Sequence, residues 1–141
     1  MNEKKVLVID AQGGGVGKQL ILLLKKRIPD VFITAVGTNT QATLSMLKAG
    51  ADEGATGENA VIVACHKARV IVGPVGIAIA DSLMGETTPK MAKAVGQSDA
   101  VRVLIPFNHC DSLIVGTSQM SVSQLIEQAV EETAALLGAR P

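Results

Sequence analysis

The residues with the plainest chemical potential are Asp10, Gln12, Gly13, Gly14, Gly15, Val16, Gly17 and Lys18, which follow directly on the branched apolar run from Val6 to Ile9. Closely spaced glycines let a chain turn tightly and bring its backbone near a ligand. Lys18 then opens a run with helical periodicity. A helix starting there presents unpaired N–H groups and a partial positive charge, a combination that suits phosphate. The chemistry expected here is recognition of an anion, with a nucleotide or dinucleotide as the ligand. No reaction follows from it.

Two loop designs bracket the pattern. A dinucleotide fingerprint reads G-x-G-x-x-G, whereas Gly13, Gly15 and Gly17 give G-x-G-x-G, with the third glycine one place early. A Walker A loop reads G-x-x-x-x-G-K-[ST]. Gly17 and Lys18 fit its end, but Gln12 replaces the first glycine and Gln19 the magnesium-binding hydroxyl. A nucleotide- or dinucleotide-like phosphate site therefore ranks above a P-loop NTPase, with a plain tight turn close behind. Asp10 would repel a phosphate. Its expected role is to hold the loop through backbone N–H groups, with ribose or Mg²⁺ binding as alternatives.

Other candidates sit where strands should end. Gly37, Thr38 and Asn39 follow the second apolar run, Gly73, Pro74 and Gly76 a later one, and Asn108, His109, Cys110 and Asp111 the next. In a parallel sheet these ends share one edge, so the loops would ring one crevice. Turn composition alone accounts for about half of such a pattern. The end of the second strand lacks the acid that binds ribose hydroxyls in NAD sites. Thr38 and Asn39 can hydrogen-bond but make a poorer anchor, and no arginine follows to prefer NADP.

Glu58 and Glu86 are the carboxylates available for acid–base work, although Glu58 also suits a helix N-terminus. Cys65 and His66 are adjacent on a helix, where side chains diverge. Cys65 reads as a small buried apolar residue and His66 as a surface one. No C-x-x-C or H-x-x-x-H spacing occurs, and no metal site is expected. Cys110 as nucleophile with His109 as base is a weak reading, because sequence neighbours seldom reach the right geometry.

The elements that must position these residues read as follows. A strand from Lys5 to Ile9 leads to a helix from Gly15 to Arg27, which Pro29 and Asp30 break. A strand from Val31 to Val36 and a helix from Thr40 to Ala49 come next, with Gly50 at the C′ position. Ala51 to Ala55 is a loop or a very short third strand. Thr56 is a candidate N-cap for a helix ending near Lys67. The strand Arg69 to Val72 precedes an ambiguous stretch, Ile77 to Met84. Thr88 and Pro89 start a helix that runs to Val95 and ends at Gly96. A strand from Val101 to Ile105, a loop from Phe107 to Asp111 and a strand from Leu113 to Val115 follow. The last two strands are too close for a crossover, so they should pair antiparallel or part. Ser121, with Gln124 completing a capping box, opens a terminal helix that Gly138 ends.

Strands alternating with helices imply an α/β fold: a single doubly wound, mostly parallel sheet with helices on both faces, Rossmann-like, with its site on the carboxyl edge. A chain of 141 residues is expected to be one domain. Its 48% hydrophobic content excludes general disorder. Two Phe and no Tyr or Trp leave no base-stacking platform. Thirteen basic residues balance thirteen acidic ones, so no electrostatic footprint for nucleic acid or anionic membrane is expected.

The apolar run before Asp10 is too short for a signal-peptide core. The longest later run, Val70 to Ala80, is interrupted by Gly73, Pro74 and Gly76, well short of the ~20 residues of a span. Reduced cysteines in a cytoplasm are expected. The expected partners are a phosphorylated small molecule and a second copy of the chain. The first helix is apolar over more than one face, and Val75 to Met84 carries few charges, which points to a homodimer. The alternative is that this segment folds inward over the site.

Asp10 to Lys18, Gly37 to Asn39, Met46 to Ala51, Gly54 to Ala60, Val72 to Ile77, Gly85-Glu86, Thr88-Pro89 and Ile105-Pro106 with Asn108 and Cys110 together resemble a family of small bacterial proteins known only as a domain of unknown function. The resemblance spans nearly the whole chain and implies a Rossmann-like fold without a reaction. It also implies glycine where Ala11 stands and a basic residue where His109 stands, which takes support from His109 as base or ligand. The layout is more loosely similar to the cofactor domain of medium-chain dehydrogenases, where Gly50-Ala51-Asp52 would introduce a real third strand. The function expected is binding of a small phosphorylated ligand at the glycine loop. The alternative is a non-catalytic homo-oligomeric or regulatory module that retains the fold.

Overall fold

The computed structural model describes residues 4–106, 112–117 and 119–139. The apolar run after Lys4 forms β1 (Lys5–Asp10), and the glycine loop leads into α1 (Gly15–Arg27). There follow β2 (Phe32–Gly37), α2 (Thr40–Lys48), β3 (Glu53–Thr56), α3 (Glu58–Lys67) and β4 (Val70–Pro74). A 3-10 turn at Val75–Ala78 precedes α4 (Pro89–Gln97), β5 (Val101–Ile105) and α5 (Val122–Leu136).

All the strand pairs are parallel, in the order β3-β2-β1-β4-β5. The chain steps outward from β1 to β3, then returns to lay β4 on the other side of β1. This reversal puts a topological switch point between β1 and β4, where connections leave to opposite faces and a crevice opens at the carboxyl ends. The order is that of a Rossmann-type sheet.

Strand alternation divides the core. Val6 and Val8 face one layer with Leu20, Ile21 and Leu24 of α1, Met46 of α2 and Ile126 and Val130 of α5. Leu7 and Ile9 face the other with Val61 and Cys65 of α3 and Met91 and Val95 of α4. Each such side chain contributes about 1.5–3 kcal/mol when fully buried. β1, buried on both faces from Val6 to Asp10, is thus the strand that anchors the glycine loop.

Local caps behave as their residue types dictate. Thr88 Oγ1 accepts from Met91 N at 3.1 Å with Pro89 in the first turn. Ser121 and Gln124 form both bonds of the capping box.

Three expectations are corrected. Thr56 does not cap α3: it belongs to β3, its hydroxyl lies 2.7 Å from Thr43 Oγ1, and Gly57 takes the cap position with φ 103°. Gly96 does not end α4, which continues to Gln97. Leu113 to Val115 is not a strand; Leu113 and Val115 are 87% and 93% exposed, so their branched side chains find no sheet to join.

Of the two readings for Ala51 to Ala55, the short strand is the observed one. Burial does not make it, since β3 is exposed throughout. Its anchors do. Asp52 Oδ2 accepts from Ile33 N at 2.7 Å and from Lys25 Nζ at 2.6 Å, and Thr34 donates to Glu53 Oε1 at 2.8 Å.

The segment from Val75 to Met84 folds inward. Ile77 and Leu83 are buried and the Ser82 hydroxyl donates to Gly76 O, while Met84 stands exposed. Part of the stretch thus packs inward, while Met84 keeps apolar surface outside. Among the described residues no helix is long and apolar enough to cross a membrane.

Candidate functional site

The glycines near the switch point divide by what surrounds them. Gly14 adopts φ +73°, and a Cβ there would lie 2.9 Å from Ala42 O. At Gly17 a Cβ would meet Met46 Sδ at 2.6 Å and Asp10 Cβ at 3.1 Å, so this glycine lets α1 press against β1 and α2. Gly37 is enclosed by Thr43, Gly73 by the Ile9 carbonyl oxygen and the Ile77 side chain, and Gly76 by Leu83 and Ser82. Packing accounts for all five.

Gly13 and Gly15 differ. Their φ lies outside the left-handed region, and a Cβ at either would meet nothing within 4 Å. Neither N–H has a hydrogen-bond partner among the described residues. Both stand exposed at the N-terminus of α1, with Val16 half-buried and Lys18 exposed in the turn that follows.

Asp10 is 4% exposed and clasps the loop from below. Its Oδ1 accepts from Ala11 N at 2.8 Å and its Oδ2 from Gly17 N at 2.7 Å, which joins the end of β1 to the first turn of α1. Burial pushes its carboxyl above the usual aspartate range, and the Glu86 charge acts in the same direction; the N–H groups of Gly17, Ala11 and Val16 pull it back. The structure shows the loop-holding role and leaves Gly13 and Gly15 to face the crevice.

Glu86 comes from the segment between β4 and α4. Its Oε1 accepts from Gln12 N at 2.8 Å, Thr38 Oγ1 at 2.7 Å and Asn39 Nδ2 at 2.8 Å. Asn39 also donates to Gln12 O at 2.9 Å and caps α2 by accepting from Ala42 N. Burial pushes the Glu86 carboxyl up, but the donors from Gln12, Thr38 and Asn39 outweigh it and hold the group below the usual glutamate range. It is an ionised, oriented carboxylate spanning the glycine loop and the end of β2.

Delivering it strains the backbone. Asp81, Leu83 and Met84 all have φ between 55° and 65°, each costing of order 1 kcal/mol or more. The burial of Leu83 and the bonds Asp81 N to Thr87 O and Gly85 N to Ser82 O help to offset this. Beside Glu86, Thr87 is 1% exposed and its Oγ1 has no hydrogen-bond partner among the described residues.

Glu86 thus joins Gln12 of the glycine loop to Thr38 and Asn39 at the end of β2, and Pro74 is buried at the end of β4. Asn108, His109, Cys110 and Asp111 lie outside the described residues. Cys65 is buried, which pushes its thiol up to about 11, and His66 is exposed. Among the described residues no three His, Cys, Asp or Glu converge as a metal-ligand set.

Sequence reasoning placed Glu86 among free carboxylates and missed its partners. The one signal for it was the missing acid at the end of β2.

A cavity of about 600 Å³ lies elsewhere, between α3 and the uncovered face of β1 to β3, with Lys5, Phe32, Glu53, Ala64 and Arg69 in its walls. It is a gap in the helix layer whose walls also hold Thr34 and Lys67, and size alone does not make it the site.

Residues 5–138 match the model of a domain of unknown function, DUF3842. The chain belongs to this family. No curated protein matches the chain. Among solved structures, a dodecameric FMN-dependent Ubix-like decarboxylase from Escherichia coli O157:H7 is similar over 97% of this chain and 98% of that one, at 15% identity and a TM-score of 0.46. At that level the likeness brings neither ligand nor reaction to this DUF3842 member.

Proposed function

We propose that this cytoplasmic DUF3842 protein binds a phosphorylated small molecule, a nucleotide or dinucleotide, in the crevice between the carboxyl ends of β1 and β4. The phosphate sits over Gly13 and Gly15. The observation that carries the reading is that neither backbone conformation nor packing requires glycine at these two positions. Among the described residues their N–H groups are unpartnered at the N-terminus of a 13-residue helix, the arrangement that receives an anion. Gly14, Gly17, Gly37, Gly73 and Gly76 shape the crevice from behind.

The test is thermal stabilisation by inorganic pyrophosphate, ADP, NAD⁺ and FMN. A ligand at 100-fold excess over its Kd adds about 2.7 kcal/mol, or roughly 5–10 °C for a domain near this size. Gly15→Val should abolish the shift. A wild-type melting temperature that no member of the panel moves would overturn the proposal.

Self-association belongs to the same reading. Leu22 of α1 and Leu44 and Leu47 of α2 are exposed on neighbouring helices, and apolar surface of this kind supports a second copy as partner. Sedimentation at micromolar concentration giving a 14.6 kDa species would reject it.

A further inference from the structure

We infer that Glu86 reads the sugar of the bound nucleotide, accepting hydrogen bonds from the vicinal 2′- and 3′-hydroxyls of a ribose. This rests on the proposed phosphate site and adds the group that selects the ligand. An acid at the end of β2 performs that task in many nucleotide-binding sheets of this order. Here β2 ends in Gly37, Thr38 and Asn39. Thr38 and Asn39 instead hold a carboxylate that arrives from the β4–α4 segment.

Three features fit the role. First, the placement is right: Glu86 bonds Gln12 N, and Gln12 precedes Gly13 by one Cα step of about 3.8 Å. A phosphate over Gly13 and Gly15 therefore puts its attached sugar within reach of the carboxylate. Second, all three protein donors fall on Oε1, and Oε2 has no partner among the described residues. The open Oε2 keeps its lone pairs available, and a pair of adjacent hydroxyls can donate to them.

Third, the group is held before any ligand arrives. The donors come from the glycine loop and the end of β2, and the left-handed turn through Leu83 and Met84 sets the approach. Such preorganisation lowers the ordering cost of binding. An ionised carboxylate accepts only, so the complementary group is a hydroxyl pair and not a second phosphate. NADP⁺, with a phosphate on its 2′-oxygen, should be rejected relative to NAD⁺.

The deciding experiment is calorimetric titration of wild type, Glu86→Gln and Gly15→Val with inorganic pyrophosphate, ADP, 2′-deoxy-ADP, NAD⁺ and NADP⁺. Wild type should prefer ADP over 2′-deoxy-ADP, and NAD⁺ over NADP⁺, by about tenfold or more, as expected for a hydrogen bond to a charged acceptor. Glu86→Gln should bring each pair within about threefold. The ADP against 2′-deoxy-ADP comparison on wild type needs no variant, so it decides even if Glu86→Gln fails to fold.

Wild type that binds pyrophosphate in a Gly15→Val-sensitive way without preferring ribose would overturn the assignment of Glu86 and keep the phosphate site. Glu86→Gln that folds and keeps the wild-type preference for ADP over 2′-deoxy-ADP would also overturn it. No binding of any probe would overturn both readings.

Discussion

The division of the glycines predicts opposite responses to one added methyl group. At Gly15 the new Cβ meets nothing within 4 Å and the backbone is not left-handed. Gly15→Ala therefore changes chiefly the unfolded chain, by reducing its freedom, and should stabilise by about 0.5 kcal/mol. At Gly73 the new Cβ collides with the Ile9 carbonyl oxygen and comes within 3.0 Å of Ile77 Cδ1. That oxygen belongs to β1, the central strand, and cannot retreat without disturbing the ladder to β4. Overpacking of this kind costs about 3 kcal/mol. At roughly 2–4 °C per kcal/mol, Gly15→Ala should melt about 1–2 °C above wild type and Gly73→Ala about 6–12 °C below. Differential scanning calorimetry of the two variants beside Gly13→Ala, which should follow Gly15→Ala, makes the comparison. Destabilisation of Gly15→Ala by as much as Gly73→Ala would mean that the fold itself needs glycine there, and the argument from open space would fail.

Two further outcomes follow from single groups. Thr87→Val removes a buried hydroxyl that has no partner among the described residues at nearly constant shape, so it should raise stability by about 1 kcal/mol; a lower denaturation midpoint in urea would show that the hydroxyl is engaged. Because the folded Glu86 carboxyl titrates below its unfolded value, its contribution is present above the unfolded pKa of about 4.3 and fades as pH falls through the lower folded value. The gap in melting temperature between wild type and Glu86→Gln should therefore be constant near neutrality and close on acidification below about pH 4. A gap that does not change down to about pH 2.5, where the carboxyl of the unfolded chain is largely protonated, would refute the role of its charge.

What the sequence determined by itself was whatever neighbouring residues settle among themselves. The bounds of α1, the caps at Thr88 and Ser121, the alternation of Val6 to Ile9 and the parallel αβ order all rest on contacts within a few residues or on periodicity. The tertiary structure decided the rest. Glu86 meets Gln12 and Thr38 from 74 and 48 residues away, and no local pattern encodes that meeting. β3 is a strand only because Ile33, Lys25 and Thr34 anchor its start. Leu113 to Val115, far more branched than the Glu-Gly-Ala-Thr of β3, is not one, since propensity for a strand is realised only against a partner. The glycines looked alike in sequence for the same reason: whether each faces Ile9, Met46 or open space is a property of the neighbours the fold brings to it, and a residue with no side chain carries no local sign of which it will meet.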